Sequence, residues 1–161
     1  MNTICWNNYY HYSSKRIEKP YSVCPLNVSS CGKPSGLYFS SNNDWLHWCQ
    51  ENEYFPSHYK FKYQLKDIQN ASIYILNQKN HDEFVSTYGS KDNIYPGVQW
   101  DKLEVSYDGI LISNDIIRQF LSYENEWYFV WCSYDVETLV LWDPDNVSIQ
   151  LVEERDFLAD E

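Results

Sequence analysis

The sequence has 161 residues, of which 43% are hydrophobic and 22% are charged, and its formal net charge at pH 7 is −11. A chain of this length and composition can bury a core without metals or disulfides, which predicts a single domain over residues 1–161. The acidity disfavours a dedicated nucleic-acid binder, because the surface would repel phosphates, and it suits a basic protein partner better.

The cysteines and the aromatic residues narrow the class of protein further. Five cysteines with irregular spacing and no Cys-x-x-Cys pair argue against a disulfide framework and against a structural zinc site. The sequence shows no signal-peptide pattern and no apolar run long enough for a bilayer, which predicts a cytoplasmic protein, in a cell or in a host. The aromatic fraction of 18% indicates either a core of large rings or a cleft for a flat ligand.

The first third of the chain predicts two strands and a helix. Thr3–Tyr12 is rich in β-favouring rings and predicts the first strand. After a segment rich in Ser, Pro, Cys and Gly, Gly36–Ser40 predicts a short buried strand. Ser41 or Asn42 can cap a following helix that ends before Pro56, since apolar residues there recur at helical spacing.

The middle of the chain predicts two further strands and two helices. Tyr59–Leu65 alternates apolar and polar residues, which is typical of a half-buried strand, and Ala71–Leu76 predicts another strand. Asp82–Tyr88 predicts a helix that ends at Gly89, a residue suited to a C-terminal cap. Val98–Ser106 has a helical period.

The following region predicts a turn, a strand and a helix. Asp108-Gly109 predicts a sharp turn into a strand at Ile110–Ile112. Asn114–Leu121 predicts a short helix, whereas Trp127–Trp131 fits either a helix or a strand.

The C-terminal region contains two strong strand patterns, Glu137–Trp142 and Val147–Val152. The Asp-Pro-Asp-Asn segment between them predicts a β-hairpin. Together the segments predict an α+β fold, with six or seven mainly antiparallel strands and short helices.

Several common catalytic and binding motifs are absent from the sequence. It contains no Gly-x-Gly-x-x-Gly, no phosphate-binding loop and no Gly-x-Ser-x-Gly elbow, so nucleotide-fold and serine-hydrolase functions are unsupported. A Cys/His pair for nucleophilic catalysis stays open. The histidines have no metal-ligand spacing: His11, His47, His58 and His81.

Three predicted strands each carry one residue type of a known catalytic constellation. His11, Tyr38 and Glu137 together resemble the His-Tyr-Glu set of ADP-ribosyltransferases. The segment Gly36-Leu37-Tyr38-Phe39-Ser40 with its following helix resembles the Gly-Ile-Tyr-Phe-Ala segment of poly(ADP-ribose) polymerases. A set of small uncharacterised bacterial and phage proteins is similar over further segments: Lys33–Ser40, Trp45–Cys49, Tyr107–Ile110, Trp131 and Asp135–Trp142.

The resemblance implies a mixed, mainly antiparallel split sheet with NAD bound between its halves. It assigns catalysis to Glu137, whose carboxylate would stabilise the positive charge that develops on the ribose as nicotinamide leaves. His11 would hydrogen-bond a ribose hydroxyl, and the ring of Tyr38 would stack on nicotinamide. Asp135 would orient the acceptor. The remaining residues that the resemblance places around NAD are Tyr12, Ser13, Gly36, Ser40, Trp45 and Trp48.

Each of these residues also has a purely structural interpretation. Tyr38, Trp45 and Trp48 fit a packed core, and Asp135 fits an ordinary turn. At the level of function, the alternative is a non-catalytic acidic protein that binds a basic partner, as immunity proteins and antitoxins do. A transferase-like fold that no longer binds NAD is a third interpretation. The sequence does not identify the acceptor, for which a protein is favoured. A role in conflict between phage and host also stays open.

Overall fold

The computed structural model describes residues 4–23, 25, 32–54, 59–91, 96–120 and 124–155. The predicted boundaries at Thr3, Pro56 and Leu121 lie outside these residues. The fold is α+β, as predicted, with a mixed and mostly antiparallel sheet and short helices. The strands are β1 Tyr9–Ser13, β2 Leu37–Ser41, β3 Phe61–Asp67, β4 Ile73–Leu76, β5 Gly89–Ser90, β6 Gly97–Val98, β7 Gly109–Ile112, β8 Thr138–Leu141 and β9 Ser148–Glu154. The helices are α1 Asp44–Glu51, α2 His81–Tyr88, α3 Trp100–Glu104, α4 Asn114–Gln119 and α5 Tyr128–Trp131.

The main sheet has seven strands in the order β4-β7-β8-β2-β1-β3-β9. All of its pairings are antiparallel except that between β4 and β7. Because side chains alternate along each strand, the register divides the sheet into two faces. One face packs under a cluster that includes Ile110, Val140 and Trp131, and the other under a cluster that includes Phe39 and Leu139.

Several element boundaries differ from the sequence prediction. The first strand begins at Tyr9, because Trp6–Asn8 form a 3-10 turn instead of extended chain. The ambiguous segment before Cys132 is helical, as α5. Val98 is not part of a helix, because it pairs with Gly89 in the small β5–β6 ladder.

The N-terminal cap of α1 also differs from the prediction. Asn43 occupies the cap position, and its side chain makes no capping hydrogen bond. The hydroxyl of Ser41 instead donates to the Asp44 carboxylate at 2.7 Å. Neither Ser41 nor Asn42 therefore serves as the cap.

The predicted C-terminal hairpin is wrong, because β8 and β9 do not pair. β8 lies between β2 and β7 and has both edges occupied, and all four of its residues are buried. β9 crosses to the other end of the sheet and pairs with β3, from Phe61 against Glu154 to Asp67 against Ser148. The turn sequence predicts only that the chain changes direction after β8, and it does not determine which strands pair. Because β8 is buried on both faces, it is a central strand with neighbours on both edges.

Two glycines permit close backbone approaches. A Cβ at Gly36 would lie 2.7 Å from the Leu141 carbonyl oxygen and 2.8 Å from Cγ1 of Val140, so only glycine lets the start of β2 pack this closely on β8. Gly89 ends α2, as predicted, but its φ of −71° is not the left-handed conformation of a glycine cap. A Cβ there would lie 2.5 Å from the Val85 carbonyl oxygen, so its small size is what this position requires.

In the part of the chain that the structure describes, no helix has the length and apolar character needed to cross a membrane.

Candidate ligand-binding cleft

A cleft of about 750 Å³ lies over strands β1, β2 and β8 of the main sheet. This volume is typical of small-molecule sites, which lie between about 300 and 1,000 Å³. The residue before β2, Gly36, and the tyrosine within it, Tyr38, both line the cleft. Aromatic side chains form much of its wall: Tyr10, Tyr12, Tyr38, Trp45, Tyr59 and Tyr134.

The floor of the cleft is set by the register of its three strands. Tyr10 lies opposite Ser40, and Ser40 lies opposite Thr138, so their side chains share one face. Tyr38 is on the same face, next to the buried Val140. These side chains therefore form a continuous surface that carries both aromatic rings and hydroxyls.

Tyr38 has a structural role and also lines the cleft. Its hydroxyl donates a hydrogen bond to the Pro34 carbonyl oxygen, and its half-buried ring packs against the core. The bond holds the segment that carries Lys33, which also lines the cleft. The two interpretations that the sequence left open for Tyr38, core ring and cleft wall, are both met by the geometry.

The imidazole of His11 lies where β1 and β2 separate. Registered pairing between these strands stops at Tyr10, and Nδ1 of His11 is 2.8 Å from the Tyr38 carbonyl oxygen. A carbonyl only accepts, so Nδ1 carries the proton and Nε2 of the neutral ring holds a lone pair. Burial lowers the pKa of His11, and the hydrogen bond to the Tyr38 carbonyl opposes this shift only in part. The ring is therefore neutral at pH 7, and it packs against Phe39 with 5.5 Å between the centroids, while His11 as a residue borders the cleft.

Two charged side chains, Lys33 and Asp135, stand among the described lining residues. Asp135 is exposed at the rim, yet partial desolvation of its carboxyl raises its pKa, and the Lys33 ammonium opposes this shift. The Lys33 ammonium lies 4.7 Å from the centroid of the Tyr134 ring. The pKa of the buried Cys49 thiol in α1 is raised by burial and, to a lesser extent, by Asp135, so the carboxylate interacts with this helix.

Glu137 lies on the opposite side of the sheet from the cleft. It precedes β8, and its carboxylate accepts a hydrogen bond from the Tyr9 hydroxyl at 2.6 Å. Tyr9 belongs to the cluster around Phe39, on the face that does not carry the Tyr38 ring. The structure therefore does not assemble His11, Tyr38 and Glu137 around one cavity, because strand alternation directs Glu137 away from it.

Seven of the candidates from the sequence do line the cleft: His11, Tyr12, Gly36, Tyr38, Ser40, Trp45 and Asp135. Ser13 does not, because its hydroxyl closes a local turn with the backbone of Lys15. Trp48 stacks on Trp45 with centroids 5.1 Å apart and planes at 8°, and so supports the cleft wall without forming it.

Buried hydroxyls add a polar element to the aromatic cleft. Ser40 is 7% exposed, and within the described residues neither its Oγ nor the phenol oxygen of Tyr12 has a hydrogen-bond partner. A buried hydroxyl without a partner costs about 1–3 kcal/mol of stability. Each such group requires an explanation, and a water molecule or ligand that supplies the missing bond is one.

Sequence reasoning missed several lining residues. Tyr10 could have been found from the sequence, because it stands two residues before Tyr12 on the first strand and the two side chains must share a face. Lys33 belongs to the segment that is similar to the bacterial and phage proteins, but the resemblance assigns it no role. Tyr59 and Tyr134 have no signal that separates them from other tyrosines, because only the tertiary fold brings them to the cleft.

The described residues contain no group of three or more His, Cys, Asp or Glu side chains able to hold a metal ion. The chain matches no protein-family model, no curated protein and no solved structure. The assignment of a ligand therefore depends on the shape and chemistry of the cleft.

Proposed function

We propose that the cleft binds NAD and that the protein is an ADP-ribosyltransferase in which Asp135, and not Glu137, is the carboxylate that faces the ligand. The observation that carries this proposal is that Tyr38, His11 and Asp135 line one cavity, in which Asp135 is the acidic residue among the described lining. The resemblance noted in the sequence supplies the ligand class, and the lining of the cleft favours Asp135 over Glu137 as the acidic residue that serves it.

The charge and the aromatic walls suit the nicotinamide ring of NAD. That ring is flat and cationic, and aromatic faces attract a desolvated cation by about 2 kcal/mol. Trp45 and the tyrosines beside it offer such faces, and Asp135 offers an opposite charge. Lys33 can pair with one charge of the pyrophosphate.

His11 and Asp135 have distinct tasks in this scheme. His11 positions the cleft wall, because the hydrogen bond from its Nδ1 to the Tyr38 carbonyl holds the backbone that carries the Tyr38 ring. The ionised carboxylate of Asp135 favours the positive charge that develops on the ribose. When bound, NAD supplies an ADP-ribosyl group whose N-glycosidic bond breaks with its electron pair on nicotinamide, while the nucleophile of the acceptor bonds to the ribose carbon and releases its proton to solvent.

Calorimetric titration of NAD into the wild type and Asp135→Asn tests the proposal. We expect the substitution to weaken NAD binding about tenfold, a loss of about 1.4 kcal/mol, and to stop nicotinamide release. Asp101→Asn, on the exposed surface of α3 and outside the cleft, is the matched control and should bind as the wild type does. Because the pKa of Asp135 is raised, NAD affinity should fall as the pH falls through it.

The same titrations define what would defeat the proposal. Trp45 lines the cleft, so bound NAD should change tryptophan fluorescence and also raise the melting temperature. If saturating NAD changes neither quantity, the cleft does not bind NAD. ADP-ribose, which lacks the cationic ring, should be less sensitive than NAD to Asp135→Asn, and equal sensitivity would remove the assigned role of this carboxylate.

A further inference from the structure

We propose that Glu137 is a positioning residue, whose hydrogen bond with Tyr9 sets the place of the Asp135 segment relative to strand β1. This inference rests on the proposed function only for the role of Asp135 in ligand binding. The contact itself joins residues 128 positions apart in the chain, with the Tyr9 hydroxyl 2.6 Å from Oε1 of Glu137.

The bond between Tyr9 and Glu137 is built into the sheet. Tyr9 is 4% exposed, and its pKa is raised by burial first and then by the hydrogen bond and the charge of Glu137, with a further contribution from Asp44. The phenol therefore keeps its proton at neutral pH and donates a hydrogen bond to the carboxylate. A hydrogen bond to a charged group contributes about 1.5–3 kcal/mol, more than a neutral one.

The bond spans the strand that separates its two partners. β2 lies between β1 and β8, with Tyr9 opposite Ser41 and Thr138 opposite Ser40. Glu137 immediately precedes Thr138, so the bond passes across the end of β2 on the face away from the cleft. It connects β1 with the point at which the Asp135 segment enters β8.

Two further hydrogen bonds of the segment lead to parts of the described chain other than β1. The backbone N–H of Glu137 donates to the Asn114 side chain at 3.0 Å, which ties the segment to α4. The Thr138 hydroxyl donates to the Val136 carbonyl at 2.7 Å, a bond within the segment. The bond to Tyr9 thus couples the Asp135 wall of the cleft to the β1 wall, which carries Tyr10.

The two possible roles of Glu137 predict opposite behaviour of its amide variant. Glu137→Gln keeps a carbonyl oxygen that accepts from Tyr9 and loses only the charge. Tyr9→Phe keeps the charge and loses the bond, and Glu137→Ala loses both. If Glu137 is a positioning residue, Glu137→Gln should behave like the wild type and Tyr9→Phe should behave like Glu137→Ala. If Glu137 acts by its charge, Glu137→Gln should behave like Glu137→Ala and Tyr9→Phe like the wild type.

The experiment measures the Asp135 carboxyl pKa by carbon NMR in the ligand-free variants, and NAD affinity by calorimetry. We expect Tyr9→Phe and Glu137→Ala to move the Asp135 pKa towards that of an ordinary aspartate and to weaken NAD about 5–30-fold. The double variant should lose no more than either single one. Glu137→Gln should stay near the wild type, as should Tyr21→Phe, a control at a tyrosine that is 69% exposed.

Two results would overturn the positioning role. One is a loss in Glu137→Gln equal to that in Glu137→Ala while Tyr9→Phe behaves as the wild type, because the charge would then be what matters. The other is an unchanged Asp135 pKa in Tyr9→Phe and Glu137→Ala. The pKa series needs no ligand, so failure of NAD to bind the wild type would defeat the proposed function and leave this inference to be decided separately.

Discussion

At the scale of single residues, the position at which β8 begins determines which carboxylate, that of Asp135 or that of Glu137, lines the cleft. In an extended chain, residues two positions apart share a face, so both carboxylates would point the same way. β8 instead begins at Thr138, and the chain bends at Val136. Asp135 therefore reaches the cleft while Glu137 contacts Tyr9 on the other face.

His81 is a second residue whose role only the tertiary structure shows. It is 5% exposed, and its Nε2 accepts a hydrogen bond from the indole N–H of Trp131 at 3.0 Å. Its Nδ1 lies 3.8 Å from the exposed carboxylate of Asp82. Burial lowers the pKa of His81, and Asp82 opposes this shift only in part. The neutral ring is therefore the form that the folded protein needs.

This burial predicts a loss of stability in mild acid. Since the pKa of His81 is lower in the folded than in the unfolded state, the unfolded state takes up the proton first, and stability falls as the pH drops below about 6.5. The loss has a limit of about 1.4 kcal/mol per pH unit for one histidine. Urea unfolding from about pH 8 to about pH 5.5 should show a smaller loss in His81→Gln than in the wild type.

The control for this prediction is His47→Gln, at an exposed position in α1. It should retain the pH dependence of the wild type, including the part that comes from His11, whose pKa burial also lowers. Parallel stability profiles for His81→Gln and the wild type would show that His81 does not contribute.

At the scale of elements, periodicity predicted most strands and helices to within a few residues. The predicted helix Asp82–Tyr88 is observed as His81–Tyr88, and the predicted strand Ile110–Ile112 as Gly109–Ile112. Such patterns report burial within one segment and so could be read from sequence. Strand pairing could not be read from the sequence, because the choice of β3 as the partner of β9 depends on which edge of the sheet is open.

In the candidate site, too, the residues of a local motif could be predicted and those brought together by the tertiary fold could not. Gly36–Ser40 was found because the motif is local and continuous in sequence. The walls built by Tyr59 and Tyr134 come from distant segments and carry no local pattern. The side of the sheet that Glu137 faces was missed because the resemblance assigned this residue to the cleft, whereas alternation with the cleft-facing Thr138 of β8 directs it to the other face.

The close approach of β2 and β8 gives a prediction for Gly36. In Gly36→Ala the new Cβ meets backbone and side chain of β8 below 3.0 Å, so the strands must separate. We expect a loss of about 1–3 kcal/mol in the free energy of unfolding by urea. Gly97→Ala is the matched control, because its Cβ would meet no atom within 4 Å. Equal stability of the two variants would contradict the strand contact.

At the scale of the whole molecule, one face of the sheet carries both a packed core and the cleft. Helices α2–α5 contribute buried residues to the cluster over β4, β7 and β8. The cleft occupies the neighbouring part of the same face, over β1 and β2, where Trp45 of α1 forms a wall. The aromatic residues thus form a core at one end of the face and line a cleft at the other, while the flat ligand suggested by the composition stays a prediction.

The net charge of −11 predicts that salt stabilises the protein. The ion pairs that Lys60, Lys91 and Arg155 make in the described part of the chain are exposed, and exposed pairs contribute only about 0–1 kcal/mol. Screening should therefore relieve more repulsion than attraction. Raising NaCl from about 20 to about 300 mM near pH 7 should raise the melting temperature by about 2–4 °C, the shift for about 1 kcal/mol. Near the sequence pI of 4.7 the increment should vanish, and a decrease with salt at pH 7 would show that local ion pairs outweigh the net charge.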